Sequence, residues 1–389
     1  MAEPNILFEN LNRIIASSDP VTDSLLCGRL GICLYYYNLY QMLGNWENAE
    51  KAVGHLELVF EHWNNDSRQL EGGAYSYGAA GLGYVCVLLQ KEGLVEIDVP
   101  ENFRELDNGL CKDALDKINN DGDIDPLHGA VGLLQYFNCR GDEDYILQYI
   151  EEIVKALSVR IVSTDNGNWI KNSRFEKKPQ INLSLSHGLC GYLTILLDTC
   201  KLGICKDHIE KWVTDGIQLL LHHYRLPNYE TGDCQQFPSV ILLENIPKAI
   251  YTSRLAWCYG DLNVVWLLYK AAKQFRNETW RQLADKCGIE TTKRLIVEAT
   301  MVTDSHFCHG AAGVATIYSS LYNAAGLLAY KDAADYWLQK TFDYVSKEIE
   351  TGFYLGKETN LLEGLPGVNL AILSAISNKP NDWAKALFI

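Results

Sequence analysis

Seven times along this chain a glycine-headed turn is followed at once by a helix-length apolar run. The pattern is Gly-x-x-Gly at Gly28/Gly31, Gly78/Gly81, Gly129/Gly132, Gly188/Gly191, Gly310/Gly313 and Gly364/Gly367. A seventh copy starts at Gly260 and carries Asn263 in the second place. The steps between copies are 50, 51, 59, 72, 50 and 54 residues. A period near fifty with one supersecondary unit per step marks an array or a closed ring. Between the copies lie stretches such as 45–63, 143–162, 206–224 and 331–347, with apolar residues at three- and four-residue spacing and charges opposite. That is the pattern of a half-exposed helix. The glycine-headed runs are nearly free of charge and read as buried all round. One buried and one amphipathic helix per repeat predicts an all-α fold, an α/α toroid with seven inner and seven outer helices in a double ring. Residues 1–389 are then expected to form one domain. Glycine permits close backbone approach where each inner helix begins. If the inner helices run the same way, the residues beside each glycine gather at one cavity.

Strand signals are weak throughout. Two stretches break the rhythm, 163–186 and 225–251. Both precede glycine-headed turns and are candidates for lids or substrate-binding loops; plain surface insertions are an equal alternative. With 48% apolar and 21% charged residues, the chain can bury a large core. Its net charge of −15 argues against a nucleic-acid groove or direct binding to an anionic membrane, and suits a basic or amphipathic peptide better. The N-terminal stretch lacks a secretory pattern, and no apolar run reaches the length of a membrane span. Twelve irregularly spaced cysteines then point to a reducing cytoplasm with mostly buried thiols. A cysteine in a polar, ligand-like setting stands out against that background.

Cys258, in SRLAWCYGD, and the adjacent Cys308 and His309, in FCHGAAG, are such residues. Two thiolates and an imidazole suit zinc, and three protein ligands leave a fourth position open, as in catalytic sites. The alternative is that all three simply pack in the core. His187, in SHGLCG, holds the same pre-glycine place as His309 and is a candidate general acid or base. His128 competes for that role. Asp125, in DGDIDPLHG, is placed to orient an imidazole, although Asp121 and Asp123 beside it also read as a solvated acidic turn. Arg254 offers a fixed positive charge to a thiolate or a developing enolate, or a plain salt bridge. Tyr259 is a hydrogen-bond donor or a packing residue.

The combination of WCYGD, CHGAAG, SHGLCG and the sevenfold glycine array resembles the lanthionine synthetase C-like proteins over essentially the whole chain. The resemblance implies an α/α toroid with zinc on Cys258, Cys308 and His309, and a catalytic His187 attended by Asp125, Arg254, Trp257 and Tyr259. Asn263 departs from the family's usual glycine. With no dehydratase or kinase region, the chain resembles the stand-alone cyclase. Such an enzyme activates a cysteine thiol of a precursor peptide, leader plus core. The sulfur adds to a dehydroalanine or dehydrobutyrine of the same peptide, closing a lanthionine or methyllanthionine ring. A lanthipeptide dehydratase and an export transporter are the partners implied, with membrane contact only through them. The alternatives are a relative that adds glutathione to dehydrated residues of proteins and a zinc-stabilised peptide-binding scaffold without turnover. An α/α-toroid glycosidase ranks last, because paired carboxylates are missing.

Overall fold

The computed structural model describes residues 4–65, 70–141, 143–172, 179–243, 246–377 and 379–389. It is built mainly of helices, and each of the seven glycine-headed runs forms one. These are Arg29–Leu43, Ala79–Lys91, Ala130–Arg140, Leu189–Lys201, Asp261–Phe275, Ala311–Ala325 and Leu365–Ser377. Every one begins directly after the first glycine of its repeat, and most of its side chains are buried. The amphipathic stretches form the helices Trp46–Asn64, Asp144–Leu157, Lys206–His222, Glu278–Thr292 and Leu328–Glu350. Each buries part of its surface, mainly through apolar residues, and leaves the rest more open. Pro4–Ser17 and Arg104–Asn119 complete the set of long helices. No helix among the described residues is long and apolar enough to cross a membrane. Eight of the twelve cysteines are buried.

The second glycine of the repeat has a local cause. At Gly31, Gly81, Gly191, Gly313 and Gly367, the carbonyl oxygen of the residue six positions earlier lies where a Cβ would stand. The chain therefore curls back onto the first turn of its own helix, and any side chain would collide with backbone.

The chain divides into two compact units. One comprises residues 1–106, 303–387 and 389; the other comprises 107–302 and 388. In the first unit, Arg29–Leu43 packs on Trp46–Asn64, and Ala311–Ala325 on Leu328–Glu350. The chain's first and last long helices also meet there. The Asn369 amide donates to Tyr35 Oη at 2.7 Å and to the Phe8 carbonyl at 3.3 Å, joining three helices in the core.

The second unit holds every strand of the described residues, and these fall largely in the two stretches that break the repeat. Ile161–Thr164 and Gly167–Ile170 form a hairpin that packs on Lys206–His222, where Asn168 donates to Asp215 at 2.7 Å. Gln180–Asn182, Val240–Leu242 and Lys248–Ile250 form an antiparallel sheet in that order, with Gln180 opposite Leu242 and Val240 opposite Ile250. The two stretches expected as separate loops are therefore joined by backbone pairing. Residues 173–178 and 244–245 of those stretches lie outside the described residues.

Candidate active site

The candidate chemical groups stand in the turns that open the buried helices, at repeating offsets. Cys258 and Cys308 each lie two residues before the helix-opening glycine; His128, His187, Tyr259 and His309 lie one before it. Short polar side chains shape these turns by accepting backbone N–H groups just ahead of them. Asn182 accepts from Ser184 at 2.9 Å, Asp304 from His306 at 3.0 Å, and Asn360 from Leu362 and Glu363 at 3.0 and 2.9 Å. Asp125 does the same with one carboxylate oxygen, which accepts from Leu127 and His128 at 2.8 and 3.0 Å.

In the second unit, the other oxygen of Asp125 is 2.8 Å from His187 Nδ1. Asp125 is fully buried, while His187 is partly open to solvent. A buried carboxylate on Nδ1 holds that nitrogen as the N–H and leaves Nε2 as the working atom. The acidic-turn alternative therefore applies to Asp121, which pairs with Arg160 and Lys171, and not to Asp125. The His187 N–H donates to Ser184 Oγ at 3.0 Å, fixing the backbone beneath the imidazole. His128 stacks on His187 with ring centroids 5.5 Å apart and planes 22° from parallel.

Tyr259 Oη accepts a 2.7 Å hydrogen bond from the Asn182 amide, so its own proton is available to a ligand. Burial raises its phenol above the ordinary value; hydrogen bonds with Asn182 and Ser184 oppose that, and Cys258 and Asp125 add to it. Arg254 is half-buried, and its guanidinium forms no ion pair among the described residues. Trp257 and Cys258 are buried.

The departure at Asn263 has a structural role. Its carboxamide oxygen accepts the Leu185 N–H at 3.0 Å, and its nitrogen donates to the Trp257 and Ala256 carbonyls at 2.8 and 3.3 Å. Gly260, at φ +118°, lies in a region that favours glycine and reroutes the turn. The carbonyl six residues before Asn263 is thus a hydrogen-bond partner of the side chain. Ser186 Oγ also donates to the Cys258 carbonyl at 3.3 Å, so with the Asn182–Tyr259 bond the turns bearing His187 and Cys258 are tied together three times.

In the first unit, Cys308 and His309 are half-buried, and the Cys308 N–H donates to the Leu362 carbonyl at 2.9 Å. His309 Nε2 lies 3.8 Å from Asp304 and 3.5 Å from His306 Nδ1. His306 is itself 3.3 Å from Asp304, and Lys357 Nζ is 3.2 Å from its other nitrogen. Burial lowers His306 to about 4, with the Asp304 carboxylate opposing and the Lys357 charge adding. Sequence reasoning missed Asp304, His306, Lys357 and Asn182. The available signal was positional: Asp304 and Asn182 share one offset from the glycine, and His306 stands at the offset of Asp125.

Within the units, two groups of side chains are of the kind that could hold a metal ion: Asp304 with His306 and His309 in the first, and Asp125 with His128 and His187 in the second.

A family model described as lanthionine synthetase C-like protein matches residues 19–388. Among solved structures the chain is similar to nisin cyclase, with a TM-score of 0.76 and 19% identity over 99% of this chain and 98% of that one. At that identity the likeness speaks for the fold, the all-α toroid expected from the repeat. With nearly its whole length covered by the family model, the chain belongs to the lanthionine synthetase C-like family.

Proposed function

We propose that this chain is a zinc-dependent lanthipeptide cyclase, acting as one catalytic domain on a dehydrated precursor peptide, leader plus core. The observation that carries the reading is the buried Asp125 carboxylate on Nδ1 of the half-exposed His187, the proton-transfer pair that such a reaction needs. The metal ligands in this reading are Cys258, Cys308 and His309. Their donor set of two sulfurs and one nitrogen fits zinc, and each residue offers one ligand atom. The turn of His309 Nε2 towards Asp304 and His306 supports Nδ1 as its metal-binding nitrogen. Zinc bound there would lower the pKa of a substrate cysteine thiol and so supply a nucleophilic thiolate.

The chain's own residues carry the rest. As the sulfur adds to the β-carbon of a dehydroamino acid, a C–S bond forms and charge moves onto the neighbouring carbonyl as an enolate. Arg254 supplies fixed positive charge to that oxygen, and the Tyr259 hydroxyl supplies a hydrogen bond. His187 then delivers a proton from Nε2 to the α-carbon, while Asp125 stabilises the protonated ring and keeps it aimed. The proton gained at carbon balances the one lost from the thiol. A lanthipeptide dehydratase and an export transporter are the proposed partners, in the cytoplasm.

The test is zinc content of the purified protein beside Cys308→Ala, followed by incubation with a dehydrated precursor peptide. We expect about one zinc per chain in the wild type, its loss in the variant with an unchanged circular dichroism spectrum, and thiols consumed without change of peptide mass. A metal-replete wild type that holds no zinc would overturn the mechanism. Zinc retained without thiol consumption would leave a peptide-binding scaffold.

A further inference from the structure

The second metal-compatible group shares no residue with the proposed zinc ligands. Asp125, His128 and His187 each present a donor atom, and all three atoms lie within 4.8 Å of one another. The trio is more than a chance neighbourhood of polar groups. Asp125 is fully buried, and its Oδ1 is occupied by the Leu127 and His128 N–H groups, so Oδ2 is the oxygen that meets the His187 imidazole. His128 is tied to the same carboxylate through its own backbone. Its ring lies nearly parallel to that of His187, and it offers a donor atom within 4.8 Å of those of Asp125 and His187. Both rings are half-buried, which leaves solvent a route to the donors.

We propose that Asp125, His128 and His187 form a second site for a divalent transition metal, distinct from the cysteine-containing set. One carboxylate oxygen and two imidazole nitrogens suit zinc, cobalt, nickel or iron and carry no thiolate preference. The 2.8 Å between Asp125 Oδ2 and His187 Nδ1 is a hydrogen bond when no ion is present and also suits two neighbouring ligands of one small ion. An ion there takes the Nδ1 and the carboxylate oxygen that hold His187 for the proposed proton delivery from Nε2. This consequence rests on the cyclase reading: a second equivalent of metal slows turnover.

The probe is cobalt(II) added to the full-length zinc-loaded protein, followed by absorption spectroscopy and equilibrium dialysis. We expect a second metal per chain that brings weak d–d bands and no thiolate-to-cobalt charge-transfer band. His128→Ala should weaken that uptake about tenfold or more. Cys258→Ser, which gives up the first metal on the proposed reading, should still take up the cobalt that lacks the charge-transfer band, with circular dichroism reporting that both variants are folded. A second equivalent that brings the charge-transfer band sits on cysteine and overturns the proposal. So does uptake that His128→Ala leaves unaltered, or no uptake beyond the first metal. Because the readout is binding, a failure of the cyclase reading leaves this result interpretable.

Discussion

Replacing Asn263 by glycine would restore the repeat's pattern, and by sequence alone it should be harmless. The structure predicts the reverse. The Asn263 side chain accepts from the Leu185 N–H and donates to the Trp257 and Ala256 carbonyls, all in the buried interior. Asn263→Gly strips the Leu185 N–H of its acceptor, at about 1–3 kcal/mol for an unsatisfied buried group. It also removes a donor from two carbonyls and places glycine in a helix, at roughly a few tenths of a kcal/mol relative to asparagine. The total is about 1–3 kcal/mol. Leu185 lies two residues before His187, so the loss falls on the turn that carries the proposed proton donor. Chemical denaturation of both proteins, monitored by helical circular dichroism, measures the first effect. Turnover of a dehydrated peptide at temperatures where both are folded measures the second. A variant as stable as the wild type would refute the assignment of Asn263 as a structural tie. Lower stability with unchanged turnover would separate the tie from the site.

Gly313→Ala should destabilise by about 1–3 kcal/mol or more, because the new Cβ collides with the Phe307 carbonyl. Zinc content should fall with it, since Phe307 precedes Cys308. Gly109→Ala, in an exposed helical position with open space around it, should instead raise stability by roughly 0.5–1 kcal/mol; thermal melts check both signs. Asp125→Asn should cut turnover about a hundred- to ten-thousandfold while zinc stays bound, because an amide presents N–H to Nδ1 and disfavours the protonated ring; kinetics beside metal analysis test this. Burial lowers His55 to about 4, with the Arg29 charge adding, and its Nδ1 is buried without a partner. The unfolded chain therefore binds a proton that the folded one refuses, so stability present above pH 6.5 is lost as pH falls towards about 4. His55→Gln should flatten that part of the melting-temperature profile.

The repeat was legible because its cause is local. A glycine under an incoming carbonyl leaves the same mark each time, so all seven buried helices could be placed with their starts. The pairing of Asp125 with His187 was foreseeable in kind, since both flank glycine-headed turns. What the sequence hid depends on contacts between distant segments. Nothing near Gln180 announces that it will pair with Leu242, and so two stretches read as loops share a sheet. Asn263 read only as a departure from the usual glycine, because its partners at Leu185 and Trp257 become visible only once two turns are laid side by side. Lys357 and His306 are fifty-one residues apart, with no local pattern to join them.

The residue before each helix-opening glycine is Cys27, Tyr77, His128, His187, Tyr259, His309 or Glu363, and none of the seven is buried. The fold asks nothing of that side chain beyond room, because glycine and the returning carbonyl have already met the steric demands of the turn. These positions behave like sockets, whose contents can be exchanged without redrawing the scaffold. Five now carry an imidazole or a phenol. The other two, Cys27 and Glu363, are where new chemistry could be installed at the least risk to folding.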